Sequence, residues 1–154
     1  MAQKGSPALG DVKNWEQITD VKISKIAASV NVFSGAFVYM DGANGLKPAT
    51  SAIQASRVRF CPVGFDNTSG LVGARELETI KTGAIVVAKA KSAIVVDDDV
   101  VISGTAGYVA AAAATAQTLN TSVGRYLGHV GEVEGTANEP TDAVTNDLIL
   151  VQLI

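Results

Sequence analysis

Three consecutive aspartates, Asp97 to Asp99, form the densest group of potential metal ligands in this sequence. Carboxylate oxygens are the ligands that hard cations such as Ca²⁺ prefer, so the run could form a cation site. Consecutive strand residues point to opposite faces, however, and a calcium loop places its ligands at alternate positions with a central glycine, a spacing that is absent here. A charged hairpin turn is therefore the favoured interpretation, and a cation site is the alternative.

The single histidine and the single cysteine lack the neighbours that catalysis needs. His129 has no second histidine in the chain with which to share a metal or relay a proton, and a lone histidine is more often structural. Cys61 lies between Phe60 and Pro62 without a CxxC partner, and a buried thiol there is expected to be unreactive. Neither side chain is predicted to act as a nucleophile or a metal ligand.

Two carboxylate pairs have the spacing of residues on one strand face: Glu76 with Glu78, and Glu132 with Glu134. Either pair would need burial to separate its two pKa values for acid and base catalysis, and a solvated face is the simpler interpretation. No serine lies in a GxSxG elbow, and neither glycine-rich phosphate-binding spacing occurs. The sequence therefore predicts no catalytic residue, no cofactor, no metal and no enzyme activity.

Trp15 is the only tryptophan and lies in an N-terminal segment of otherwise polar character. Tryptophan is a frequent interface anchor because it buries a large area at a small entropic cost. Ile18, Val21 and Ile23 follow it. These four residues are the predicted contacts with a partner or with another protomer, and the alternative is that Trp15 folds back onto its own domain.

Composition favours one soluble, β-rich domain. The chain has 154 residues with 47% hydrophobic and only 5% aromatic content, and its single cysteine excludes an intramolecular disulfide. No N-terminal segment has the pattern of a signal peptide, and no apolar run approaches the roughly 20 residues that span a bilayer. We therefore expect neither secretion directed by a signal peptide nor a membrane partner.

Charge is distributed unevenly along the chain. Residues 1–91 carry 11 of the 12 Lys and Arg with 7 of the 15 Asp and Glu, a net charge of +4, whereas residues 92–154 have a net charge of −7. Such asymmetry could let copies attract one another head to tail or let one end prefer an acidic partner. No basic cluster is interleaved with aromatics, so direct nucleic-acid binding is not predicted.

Two segments, 31–50 and 93–115, resemble each other, and each is typical of a β-hairpin. In each, a short apolar strand enters a turn bounded by glycines, Gly42 to Gly45 or Gly104 to Gly107, and an Ala-containing strand follows. Glycine allows the positive φ that tight turns require. A Val-Gly step follows each unit, so we interpret the pair as a weak duplication.

The whole pattern predicts an all-β fold, a small β-barrel or β-sandwich of short strands with hairpins. Residues 1–26 are predicted to form an extended N-terminal arm with a short helix or turn and then a strand, and residues 27–154 the β-rich domain. Strands are expected near 32–40, 46–49, 57–65, 71–74, 84–90, 93–96, 100–103, 107–112, 124–134 and 147–153. Residues 113–122 and 135–146 are expected to be exposed loops.

In this order the motifs resemble the small phage head-decoration proteins, also called capsid cement proteins. The resemblance covers most of residues 27–153 and depends on these segments: Ala27 to Ser29, Ser34 to Asp41, Gly45 to Ala49, Pro62 to Phe65, Lys81 to Val87, the Asp-containing turn before Val100, Gly107 to Ala110, and Leu127 to Val133. The chain departs from the family pattern at Asp97 to Asp99, where Gly-Asp is expected, and in the long loop 135–146.

The resemblance implies a structural virion protein, made in the host cytoplasm, that binds the outer surface of the expanded phage head. Its implied partners are the major capsid protein, whose lattice it would stabilise, and further copies of itself in a homotrimer. Residues 1–26 would reach the capsid or a neighbouring protomer. The alternative function is a β-barrel module that binds a small ligand or glycan in a surface or fibre assembly, which would require clustered aromatics and convergent polar groups.

Overall fold

The computed structural model describes residues 8–50, 53–103, 108–112, 122–130 and 142–154. Over these residues the chain is all-β, as predicted, and its only helical elements are three single 3₁₀ turns, Trp15–Gln17, Gly42–Asn44 and Ala55–Arg57. The strands are β1 (Val21–Lys25), β2 (Val30–Val32), β3 (Ala36–Met40), β4 (Leu46–Pro48), β5 (Val58–Cys61), β6 (Phe65–Asn67), β7 (Glu76–Ile80), β8 (Ile85–Ala90), β9 (Asp99–Ile102), β10 (Tyr108–Ala111), β11 (Ser122–His129) and β12 (Leu148–Leu153).

These strands form three sheets. Five strands in the order β1-β7-β5-β3-β4 make an antiparallel sheet, and β2 pairs with β6 in a two-stranded one. The third is a closed barrel in the order β10-β8-β12-β11-β9, in which only the β10–β8 pairing is parallel. Closure leaves these five strands without an exposed edge. In the five-stranded sheet the outer strands β1 and β4 meet only at a parallel bridge between Ile26 and Leu46.

The five-stranded sheet has a hydrophobic cluster on each face. Alternation along β5 directs Phe60 into the main core, which the barrel strands share, and directs Cys61 into a smaller core with Val32, Val38 and Leu46. In the main core the Phe37 and Phe60 rings meet edge to face with their centroids 5.4 Å apart. The sheet and the barrel are therefore joined by one continuous core.

Both predicted hairpins are confirmed in the described residues. β3 and β4 pair antiparallel around the Gly42–Asn44 turn, which Gly45 leaves with a φ of 96°. β9 and β10 also pair antiparallel, while their predicted turn, 104–107, lies outside the described residues. The first hairpin belongs to the five-stranded sheet and the second to the barrel, so the two related segments lie in different sheets.

The described part of the predicted arm is bonded to its own domain. Lys13 N–H donates a hydrogen bond to Ile85 O (2.8 Å), and the Asn14 side chain accepts one from Ile85 N–H (2.8 Å). Further along, all five residues of β1 pair with β7. The helical turn and strand predicted for this segment are present, but the strand is part of the sheet because it satisfies the backbone groups along one side of β7.

Several predicted strand boundaries are wrong. Residues 71–74 form an exposed turn, and the strand begins only at Glu76, whose segment shows the polar and apolar alternation of a half-buried strand. Residues 93–96 contribute only a single bridge, between Ile94 and Ala143. The strands predicted at 32–40 and 57–65 are each interrupted, and Gly35, in the first interruption, has a φ of 85°.

Candidate functional site

The Asp97 to Asp99 run forms a charged turn, as predicted. Asp97 has a positive φ of 69°, and Asp98 N–H donates to Val95 O at 3.0 Å to close the turn. Tyr126 N–H then donates to Asp98 O at 3.0 Å, which fixes the turn to β11. In the described parts of the chain no three His, Cys, Asp or Glu side chains are grouped so that they could hold a metal ion.

Cys61 is fully buried, as its apolar neighbours predict. Burial raises the pKa of the thiol from 9.0 to about 11, and a hydrogen bond with the backbone of Val63 only partly opposes that effect. Because the thiolate is the reactive form, a thiol with this pKa is inert near neutral pH. The predicted burial of this cysteine is confirmed.

The raised pKa of Cys61 makes a prediction about alkaline stability. The native thiol (pKa about 11) holds its proton above the pH at which the unfolded thiol (9.0) loses it, so this contribution to stability is complete below pH 9 and is lost as the pH rises through 11. Cys61→Ala should therefore show a smaller fall in the free energy of unfolding between pH 9 and 11 than the wild type, measured by urea titration. Parallel falls in the two proteins would contradict the assigned pKa.

His129 lies on β11 and contacts the residue just before β12. Its Nε2 is 2.5 Å from Asp147 Oδ2, and its Nδ1 is 3.4 Å from the hydroxyl of the buried Tyr126. Asp147 Oδ2 also accepts a hydrogen bond from Val144 N–H (2.9 Å). These contacts hold the turn that leads into β12 against β11.

Glu76 and Glu78 are exposed on one face of β7, as the sequence predicts. Their cross-strand partners on β1 are Lys25 and Ile23, respectively. Both carboxylates are therefore solvent-exposed, as the simpler interpretation of the pair requires. The second pair, Glu132 and Glu134, lies outside the described residues.

The four predicted contact residues do not share one environment. Trp15 is 44% exposed and Ile23 65% exposed, and Val21 is exposed as well. Ile18 instead is half-buried and packs against the main core. The segment thus uses Ile18 to attach to its own domain and presents the other three side chains to solvent.

Trp15 forms a ridge with Pro62 and Val63. This ridge separates an open cleft of about 620 Å³, which Asp11, Lys13 and Ser34 help to line, from a smaller one of about 160 Å³ that reaches Glu76 and Glu78. Glu78, which helps to line the smaller cleft, is the cross-strand partner of Ile23 on β1. We call the exposed side chains of Trp15, Val21, Ile23 and Val63 the contact face.

Sequence reasoning missed several exposed apolar side chains. Val63 is 73% exposed and Leu71 80% exposed, and Phe33 and Val72 are exposed as well. Val63 follows Pro62 at the end of β5, where a Pro-Val-Gly step is a signal for a turn. Leu71 and Val72 were predicted to be strand residues, and the turn that contains them instead presents both to solvent.

Arg59 anchors the beginning of β1 to the middle of the sheet. Its guanidinium lies 2.9 Å from the Asp20 carboxylate and also donates to Asp20 O (3.0 Å), while its Nε donates to Thr79 Oγ1 (2.8 Å). Partial burial raises the pKa of Asp20, but hydrogen bonds from Thr82 N–H and Arg59 outweigh that effect and hold the pKa below 3.8. This bonding orients the strand that carries Val21 and Ile23.

Removing the Arg59 side chain should destabilise the protein. Arg59→Met leaves Asp20 partly buried without its counterion, and we expect the free energy of unfolding to fall by about 2–3 kcal/mol, measured by urea titration. Lys47→Met is the matched control, because the Lys47–Asp41 pair has a similarly short distance, 2.7 Å, but is more than a third exposed, so its loss should lower the free energy of unfolding much less. Equal losses would contradict the anchoring role.

No model of a known protein family matches this chain, and no curated protein matches it significantly. Among the described residues, no helix has the length and apolar character needed to cross a membrane. The functional argument therefore depends on the residues and their geometry.

Proposed function

We propose that this chain is a capsid decoration protein that binds the outer surface of the expanded phage head and stabilises the lattice of the major capsid protein. The observation that carries the proposal is the contact face, an exposed apolar surface on a small all-β domain in which Trp15 is 44% and Val63 73% exposed. Exposed apolar side chains grouped beside polar ones are typical of protein interaction sites. The ordered motifs that resemble cement proteins supply the identity of the partner.

The proposed activity needs binding rather than chemistry. A protein that binds only the expanded lattice stabilises that state by mass action. Many copies, each in contact with several capsid subunits, add avidity without any single strong contact. Self-association into a trimer, which the resemblance implies, would triple the number of contact faces in each particle. The protein would thus be found on the virion surface.

The test is co-sedimentation with expanded heads that lack the protein. Trp15→Asp combined with Val63→Asp should lower binding at least about tenfold, because two charges would be placed at the centre of an apolar contact. The matched control is Val95→Asp with Val144→Asp, since Val95 and Val144 are 55% and 61% exposed on another part of the surface. Circular dichroism of each variant confirms folding.

Two outcomes would count against the proposal. Wild-type protein that does not sediment with expanded heads contradicts the function itself. Equal losses for the contact-face and control variants contradict the assignment of the surface. Deletion of residues 1–26 is a poor alternative test, because it also removes β1 from the five-stranded sheet.

One observation favours the alternative, a ligand- or glycan-binding module. The cleft of about 620 Å³ beside Trp15 combines an exposed indole with the polar side chains of Asp11, Lys13 and Ser34. Such a combination suits a sugar, which stacks on an aromatic ring and exchanges hydrogen bonds with polar groups. Glycan-array binding that Trp15→Ala abolishes, together with no affinity for heads, would establish this function instead.

A further inference from the structure

The five-stranded sheet curls until its two outer strands meet at one point. Ile26, the residue after β1, forms a parallel bridge with Leu46 of β4, and Ala27 N–H donates a hydrogen bond to Leu46 O (3.0 Å). The smaller hydrophobic core contains residues of β7, β5, β3 and β4, so it lies inside this curl. A groove of about 260 Å³ opens beside Leu46. The mouth of a closed or nearly closed sheet is a common position for a ligand site.

Cationic and hydroxyl side chains dominate the lining of this groove, which we call the basic groove. Its described lining residues, none of them acidic, are Lys22 and Ser24 of β1, Met40 of β3, Leu46 of β4, Ser56 and Arg57 of a 3₁₀ turn, and Arg59 of β5. Lys22 lies opposite Thr79 on β7, and Arg59 Nε donates to Thr79 Oγ1 at 2.8 Å. Ser24 lies opposite Leu77, a member of the smaller core. Because ammonium and guanidinium groups donate hydrogen bonds and accept none, the groove suits a negatively charged acceptor.

Lys22 and Arg57 keep their charges available to a ligand. Arg57 Nη2 donates to Met40 O (2.9 Å), and the guanidinium lies 5.3 Å from the centre of the Tyr39 ring. These contacts hold the guanidinium beside Met40 at the border of the groove, and they use only one of its five N–H donors. Neither Arg57 nor Lys22 forms an ion pair with another described residue.

The acidic side chains near the basic groove are matched by other cations. Asp20 pairs with Arg59 at 2.9 Å, and Asp41 pairs with Lys47 at 2.7 Å. The charge of Arg57 also lowers the pKa of Asp41, but the hydrogen bond from Lys47 is the largest cause of that shift. This face of the sheet therefore has an excess of two positive charges around the groove.

Glu76 and Glu78 do not cancel this excess. Alternation along β7 places them on the opposite face of the sheet, where they line the smaller cleft. Two cations accompany them there, because Lys25 is the cross-strand partner of Glu76 and Arg75 helps to line the same cleft. With both faces counted, the two positive charges of the basic groove remain unmatched.

We propose that the basic groove binds a phosphate dianion, either free or as the monoester of a small molecule. Lys22 and Arg57 supply the two positive charges, and the hydroxyls of Ser24 and Ser56 donate further hydrogen bonds. A phosphate monoester carries about −1.5 to −2 charges at pH 7 and has three strong acceptor oxygens, so it matches this set of donors. A carboxylate has one charge and two oxygens, and it would leave one cation unmatched.

The volume of the basic groove also favours a small ligand. At about 260 Å³ it is smaller than the roughly 300–1,000 Å³ of sites for drug-sized molecules. A phosphate group with a few carbon atoms would fit this space, and Met40 and Leu46 offer apolar contacts to the carbon atoms. The inference does not depend on the proposed capsid function.

The test is a titration of the full-length, isotope-labelled protein with sodium glycerol 3-phosphate, inorganic phosphate or acetate, at one pH and one ionic strength so that screening is equal. We expect both phosphates to shift amide resonances most at residues 22–24 and 56–59, and acetate to bind at least about tenfold more weakly. Tighter binding of glycerol 3-phosphate than of inorganic phosphate identifies a phosphorylated molecule as the ligand, and the reverse order identifies the free ion.

Two double variants separate a specific site from a general effect of charge. Lys22→Gln with Arg57→Gln should weaken phosphate binding at least about tenfold, because both charge-assisted contacts are lost. Lys89→Gln with Lys91→Gln is the matched control. It removes the same net charge from the barrel, where the two ammonium groups lie 5.6 and 5.4 Å from the centre of the Tyr108 ring, and it should leave the affinity within about twofold of the wild type.

A single variant keeps the test decisive even if the first double variant loses stability. Ser56 is exposed, and Ser56→Asp places a carboxylate in the basic groove, where it should exclude phosphate while the thermal midpoint stays near that of the wild type. Four results would each overturn the inference: no binding of either phosphate or shifts centred elsewhere, acetate binding as tight as phosphate binding, equal losses in the two double variants, or unchanged phosphate binding by Ser56→Asp.

Discussion

Gly64→Ala should prevent the protein from folding stably. A Cβ atom at this position would lie 1.9 Å from Val32 O, 2.5 Å from Phe33 C and 2.7 Å from Ser34 N. All three are backbone atoms, so no side-chain rotation can relieve the overlap. We expect a loss of at least about 4 kcal/mol in the free energy of unfolding, measured by urea titration, or recovery of the protein only in aggregates.

Gly42→Ala is the matched control for this variant. Gly42 has a positive φ of 52°, but its Cβ would meet nothing within 4 Å. Only backbone strain remains, at a cost of about 1–2 kcal/mol. If the two variants lose similar stability, the close approach of Gly64 to the β2–β3 connection is not what requires glycine there.

Phe60→Ala should have the second largest effect, a loss of about 3–5 kcal/mol in the free energy of unfolding. Phe60 is fully buried in the cluster that the five-stranded sheet shares with the barrel, and its ring contacts that of Phe37. A cavity at Phe60 would weaken the packing of the five-stranded sheet and of the barrel at the same time. Thermal unfolding should therefore remain one cooperative transition at a lower midpoint, measured by calorimetry.

The comparison for Phe60 is Phe33→Ala, because Phe33 is 53% exposed and should change stability by less than about 1 kcal/mol. Two separate transitions in Phe60→Ala would show that the barrel and the sheet unfold independently. That outcome would contradict the continuous core and divide residues 27–154 into two folding units.

Local signals in the sequence account for the parts of the fold that were predicted correctly. Glycines such as Gly42 and Gly45 mark the turn between β3 and β4, and a run of β-branched residues marks the start of β8. Both are properties of a few neighbouring residues, so they can be recognised without knowledge of the rest of the chain. The same holds for the burial of Cys61, which its apolar neighbours predict.

Strand predictions were wrong where the apolar residues do not coincide with the residues that pair with neighbouring strands. Leu71 and Val72 have the composition of a strand, yet Glu76–Ile80 forms β7 because β1 and β5 are available to pair with it on either side. Strand propensity depends on such neighbours, which the local sequence does not identify. The placement of Ile18 against the core and Val63 on the contact face has the same origin.

The sequence by itself determined the all-β class, the two hairpins and the absence of a recognisable catalytic motif, because each depends on short-range patterns of residue type. The tertiary structure decided which strands lie at an edge, that five strands close into a barrel, and that Arg59 holds the start of β1 through Asp20. It also decided that Trp15 and Val63 share one ridge. These features join residues far apart in the chain, and only the three-dimensional packing of the strands brings them together.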